Sequence, residues 1–196
     1  MKRWDWLRVG EGIPTDPSKR IEYLLATAQQ APNHGETALL MVVVHASTAL
    51  RCRRAVLDAL ADQTDMDASV RVLGEASLAA VALYLAARSA QIYCEKHKEP
   101  GPLGRRRLDE LVSTAEHLRD CVMHWEDKAR AASPAFLNVT DRDVLVMGSN
   151  RRRRSASAGI TWHLFESYVD RLRRWAEFML DQAADPADAR DGSLVR

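Results

Sequence analysis

Apolar residues recur along most of this chain at intervals of three and four, the spacing that gathers one face of an α-helix. Asp16-Pro17 reads as a helix start, a capping carboxylate followed by a proline whose missing N–H is not needed in the first turn. Ile21, Leu24, Leu25 and Ala28 continue that helix until Pro32-Asn33-His34-Gly35 stops it. In the next segment, residues 36–61, the run 39–44 has the composition of a buried strand. The length of the segment and the spacing of Leu50, Val56, Leu57 and Leu60 predict a helix instead. Residues 68–97 are apolar nearly all round between Ala76 and Ala87, which predicts a helix at the centre of a bundle. Pro100, Gly101, Pro102 and Gly104 break the pattern sharply. Beyond them Leu108, Leu111, Val112, Ala115, Leu118, Val122 and Trp125 predict an amphipathic helix over 105–132, closed by Ser133-Pro134. Thr140 reads as the cap of a short helix over 141–147 that Gly148 ends, and the polar stretch 149–158 as a flexible segment. Ile160, Leu164, Tyr168, Leu172, Trp175 and Met179 then define the clearest amphipathic helix. Residues 1–15 read as a loop anchored by Trp4, Trp6 and Leu7, and 185–196 as a mobile tail.

These elements predict an all-α fold, a single helical bundle of about five to seven helices over 1–184, with 1–99 and 105–184 as possible halves. No pair of strands is expected. Composition agrees: 46% of the 196 residues are hydrophobic, enough for a core, and aromatics are only 6%. The longest apolar stretches, 39–44 and 76–87, fall short of the roughly 20 residues that cross a bilayer, so no membrane partner is expected. Cys52, Cys94 and Cys121 are odd in number and irregular in spacing, which argues against a disulfide framework. With no apolar leader run at the start, a cytoplasmic location is expected.

Glycine is scarce, and no phosphate loop, dinucleotide fingerprint, nucleophile elbow or zinc-protease helix motif occurs. Cys94, His97, His117, Cys121 and His124 have the types and partly the spacing of metal ligands. An antiparallel hairpin about the break at 100–104 separates His97 from His117 by about ten residues, or ~15 Å at ~1.5 Å per residue. One tetrahedral ion cannot bridge that gap, so neither metal nor other cofactor is expected.

Charge changes the picture more than composition does. The formal net charge is only +1, but of 28 basic residues five are lysine, so 23 are arginine. They cluster at Arg51, Arg53 and Arg54, at Arg105, Arg106 and Arg107, at Arg151, Arg152, Arg153 and Arg154, and at Arg171, Arg173 and Arg174. A guanidinium donates two parallel hydrogen bonds to a phosphate, and adjacent positive charges without interleaved carboxylates call for an external polyanion. A helical body of this size with no catalytic kit and these clusters resembles the small-subunit family of CRISPR effector complexes. That resemblance implies a non-catalytic, cytoplasmic subunit of an antiviral ribonucleoprotein. It would hold an RNA or single-stranded DNA backbone through the first three clusters, beside other subunits and copies of itself. A solvated arginine-rich surface would leave the same trace in sequence.

Arg119-Asp120-Cys121-Val122-Met123-His124 carries a second resemblance, to the HEPN ribonucleases. It implies Arg119 and His124 as a metal-independent pair acting on the ribose 2′-hydroxyl and the scissile phosphate, with Asp120 beside them. Imidazole titrates near neutrality and guanidinium grips phosphate, so the chemistry is coherent. An exposed ion-pairing face, with Glu116, Asp120, His124 and Lys128 at steps of four, accounts for the same residues and is the expected reading.

Overall fold

In a computed structural model, residues 34–61, 66–123, 135–150 and 153–184 are described. Within them the order is α1 (His34–Ala61), α2 (Met66–His97), α3 (Arg105–Met123), β1 (Ala135–Val139), β2 (Asp143–Asn150), β3 (Arg153–Thr161) and α4 (Trp162–Ala184). The expectation of a mainly helical chain holds at that level, with four helices among the described residues. The predicted elements over 1–33, the closure at Ser133-Pro134 and the tail 185–196 lie outside them.

The ambiguous run 39–44 is helical and continues α1 to Ala61. Leu39, Val42, Val43, Ala46, Ala49, Cys52 and Val56 are all buried, a period a strand cannot produce. In α2 the inward positions are mostly alanine, from Ala76 to Ala90, and small side chains let α1 approach closely. α4 buries Trp162, Phe165, Val169, Leu172, Ala176 and Leu180, stepping by three and four, and lies on α1. Buried residues on both sides of the break at 100–104 belong to one continuous core.

That break is a hairpin turn. Lys98 takes a left-handed conformation, and the Glu99 N–H bonds back to the Cys94 carbonyl at 3.1 Å, closing α2. Gly101 also has positive φ, and a Cβ on it would meet the Cys94 sulfur at 2.9 Å, so only glycine lets the chain turn this tightly. α3 then runs back along α2. The Gln91 amide donates to Asp109 at 2.7 Å, and Arg119 sits 4.1 Å over the Tyr84 ring. Both contacts fix the antiparallel offset on which the metal argument rests.

Two expectations fail between 135 and 161. The short helix over 141–147 and the flexible segment 149–158 are instead strands of an antiparallel sheet, ordered β1-β2-β3. Thr140 does cap, but it caps a turn. Its backbone N–H bonds to the Asp143 carbonyl at 2.9 Å, and its hydroxyl accepts from the N–H groups of Arg142 and Asp143 while donating to the Asp143 carboxylate at 2.7 Å. β2 pairs with β1 as Leu137↔Val146 and with β3 as Leu145↔Gly159, with an irregularity between Val146 and Met147. Val144, Val146 and Ile160 are buried.

The membrane expectation also needs correcting. By length and mean hydropathy one described helix, α2, is long and apolar enough to cross a bilayer, because its many alanines count as apolar without forming an unbroken run. Close to half of that stretch is buried inside the bundle.

Candidate nucleic-acid interface

α1 and α4 pack side by side, and their outer flanks form a groove of about 570 Å³. α1 contributes Ser47, Leu50, Arg51, Arg53 and Arg54; α4 contributes Glu166, Ser167, Asp170, Arg173 and Arg174. Two arginine clusters 120 positions apart thus meet, because the sheet returns the chain and Thr161 starts α4 beside α1. The Thr161 hydroxyl accepts the Leu164 N–H at 3.3 Å, and the Trp162 backbone and indole N–H groups donate to the Arg142 and Thr140 carbonyls at 2.8 and 2.9 Å.

Within the groove the five guanidiniums are not equivalent. Arg53, 19% exposed, forms an ion pair with Glu166 at 2.9 Å and donates from Nε to the Trp162 carbonyl at 3.2 Å. It is a latch between the helices. Arg173 is held by Asp170 at 3.1 Å, and its buried Nε–H has no acceptor within hydrogen-bond distance among the described residues, the Glu177 carboxylate standing 3.9 Å away. Arg174 reaches the other Asp170 oxygen at 2.6 Å but keeps 74% of its side chain in solvent. Arg51 and Arg54 are exposed and make no ion pair with another described residue. Glu166 and Asp170 therefore offset two of five positive charges, leaving a surplus of three on one concave surface. Among the described residues no aromatic side chain lines it.

The other predicted clusters stand elsewhere. Arg105, Arg106 and Arg107 are exposed in the first turn of α3, which holds no acidic residue to complement the helix dipole. Arg106 pairs with Glu110 at 2.9 Å, while Arg105 and Arg107 border two different cavities. Arg153 and Arg154 belong to β3, opposite Asn150 and Ser149, and are not part of a flexible segment. Arg151 and Arg152 lie outside the described residues. Of the described side chains, Arg105 to Arg107 therefore do not share the groove of Arg51, Arg53 and Arg54.

Arg119 is confined. Asp120 bonds both its Nε and Nη2, Glu116 stands 3.6 Å away and the Tyr84 ring lies beneath it. The Asp120 hydrogen bond, ahead of the opposing effect of burial, holds its pKa above the ordinary arginine value. His124 lies outside the described residues. His97 stacks on Tyr93, and His117 donates from Nδ1 to the Ser113 carbonyl at 2.7 Å. Burial, chiefly, pushes the Cys52 and Cys94 thiols up to about 11. Among the described residues no three His, Cys, Asp or Glu side chains converge on a metal position.

Arg173 and Arg174 were visible in sequence as a cluster but read as the solvent face of α4. Their place in the groove follows from α4 packing on α1, and periodicity within one helix does not name the helix it packs on. No family model, curated protein or solved structure matches the chain.

Proposed function

We propose that the protein is a non-catalytic subunit that holds a nucleic-acid backbone, RNA or single-stranded DNA, within a ribonucleoprotein assembly comparable to those of CRISPR effector small subunits. The observation that carries this reading is the convergence of five arginines in one groove: Arg51 and Arg54 are exposed and make no ion pair with another described residue, Arg174 is exposed beyond its contact with Asp170, and Arg53 and Arg173 are held by carboxylates. The held guanidiniums orient the wall, and Arg51 and Arg54 are free to fork onto phosphate oxygens, with the exposed edge of Arg174 beside them. Among the described residues the groove offers no aromatic surface for bases to stack on, so it suits backbone contact independent of sequence. Arg105 to Arg107 extend the cationic surface away from the groove. The three-stranded sheet is an addition to the purely helical body that the resemblance implies.

The test is binding of unrelated single-stranded RNAs by wild type and by the triple variant Arg51→Ala, Arg54→Ala, Arg174→Ala. Loss of three phosphate contacts should weaken all sequences alike and flatten the log affinity against log salt slope by roughly 2. Arg53 stays in place, so helicity should not change. Wild-type affinity and salt slope in the variant would discard the groove as the interface.

A second reading rests on Arg119. Its clamping by Asp120 over Tyr84 is the kind of preorganisation a phosphate-stabilising catalytic arginine needs, as in a HEPN-like ribonuclease with His124. RNA cleavage in chelator, abolished by Arg119→Ala and by His124→Ala, would make that reading prevail.

A further inference from the structure

α2 turns one side to α1 and α3, and the other carries a second apolar stripe that the fold does not use. Val70 is 69% exposed, Leu78 54%, Leu85 37% and Ile92 46%. At ~100° per residue these four, with Val81 and Gly74, fall within one quarter of the helix circumference and run for about 33 Å. One charge stands on the stripe: Arg88, exposed and in line with Val70, bonds to Gln91, which is itself held by Asp109 of α3, and exposed Arg71 lies at the stripe's edge. The hydroxyl of Ser77, on the stripe's edge, is spent on its own helix, donating to the Leu73 carbonyl at 2.6 Å.

Gly74 adds an independent observation. Glycine inside a helix costs about 1 kcal/mol relative to alanine. A Cβ placed on Gly74 would meet nothing within 4 Å, so no neighbour in this chain requires its absence. A glycine that internal packing does not call for, centred in an apolar stripe, suits close approach by something outside.

We infer that this face of α2 is where a second copy of the chain docks, the two α2 helices antiparallel about a two-fold axis passing near Val81. The inference is independent of the arginine groove, which lies on α1 and α4. The stripe is self-complementary about that point. Val70 falls opposite the partner's Ile92, Gly74 opposite the stem of Arg88, and Ser77 opposite Leu85, so aliphatic side chains meet at the two ends while Leu85 and the Arg88 stem each face a small residue between them. The four exposed aliphatics leave on the order of 350 Å² of apolar surface per copy. With Val81, Gly74 and the Arg88 stem, two copies would remove about 1,000 Å² from water, the scale at which specific interfaces begin.

The experiment combines sedimentation of the full chain across the micromolar range with cross-linking. Wild type should sediment as a dimer. Leu85→Glu and, separately, Ile92→Glu should weaken association by at least about tenfold with unchanged circular dichroism, since both side chains are exposed and truncate no core. Val81→Cys should form a disulfide-linked dimer under mild oxidation, whereas Ser113→Cys, exposed on α3, should not; the native cysteines are buried and contribute no background. A wild type that stays monomeric, a dimer that survives both glutamates, or a Val81→Cys protein that links no better than Ser113→Cys would each overturn the inference. Flotation of monomeric wild type with neutral phospholipid vesicles, lost in Leu85→Glu, would assign the face to a lipid surface instead.

Discussion

His45 on α1 is partly buried, and burial holds its pKa below the ordinary imidazole value. The folded protein therefore binds that proton less readily than the unfolded chain does. Between the ordinary value of about 6.5 and the lower folded value, unfolding takes up a proton, so stability falls as pH falls through that window and is complete above it. Urea midpoints measured downward from pH 7.5 should decline, and His45→Gln should flatten the decline. Cys52 and Cys94 make a companion expectation. Burial holds both as thiols with pKa values near 11, so a thiol reagent at pH 8 should label the native chain slowly and the urea-unfolded chain at once. At Gly159 the constraint is steric. A Cβ there would lie 2.2 Å from Leu145 Cδ2 and 3.1 Å from the Val144 carbonyl oxygen. Gly159→Val should cost about 1–3 kcal/mol in a denaturant titration, because Leu145 has to leave its rotamer and the strands have to part.

Among elements, the joint between α1 and α4 hangs on Arg53. Replacing it with methionine keeps the stem but removes the Glu166 ion pair and the bond to the Trp162 carbonyl. Glu166 is half exposed, so the expected loss is modest, about 1 kcal/mol, read from the shift in urea midpoint. Helices of this kind were legible in the sequence wherever a period persisted for five or six turns, as it does from Ile160 to Met179, but the face was displaced: Leu164 is exposed, and Trp162, Phe165, Val169 and Leu180 are buried beside Leu172. The break at 100–104 was legible from glycine and proline chemistry, down to the antiparallel return of α3. The sheet was not. Asp143 to Met147 is a short apolar run bounded by Thr140 and Gly148, and those boundaries fit a capped helical turn as well as a hairpin strand. What decided it is pairing with residues 135–139 and 153–161, a non-local fact. β3 was harder still: Ala156, Ala158 and Ile160 do fall at every second position, but alanine against serine gives little contrast and little strand preference, so the stretch passes for a polar linker. Half of the candidate site, Arg51, Arg53 and Arg54, was named from clustering alone; Arg173 and Arg174 joined it only when α4 was placed.

For the molecule as a whole, a net charge of +1 gives little long-range attraction to a polyanion, so the surplus of three in the groove has to act at short range. Binding by the isolated chain should therefore collapse by physiological salt and recover when neighbouring copies present several grooves to one strand, which titration with RNAs of increasing length would reveal. The return of α4 onto α1 carries a different consequence, one of timing. Arg53 and Trp162 touch across 109 positions of chain, whereas α2 and α3 meet across a tight local turn. Closing the larger loop has to wait until the sheet has been made and α4 has followed it. Until then, of the described elements, α2 alone covers Cys52, Val56 and their neighbours on α1. A chain stalled during synthesis before residue 162 would expose that flank, and it is there that a chaperone, or a premature aggregate, should find its hold.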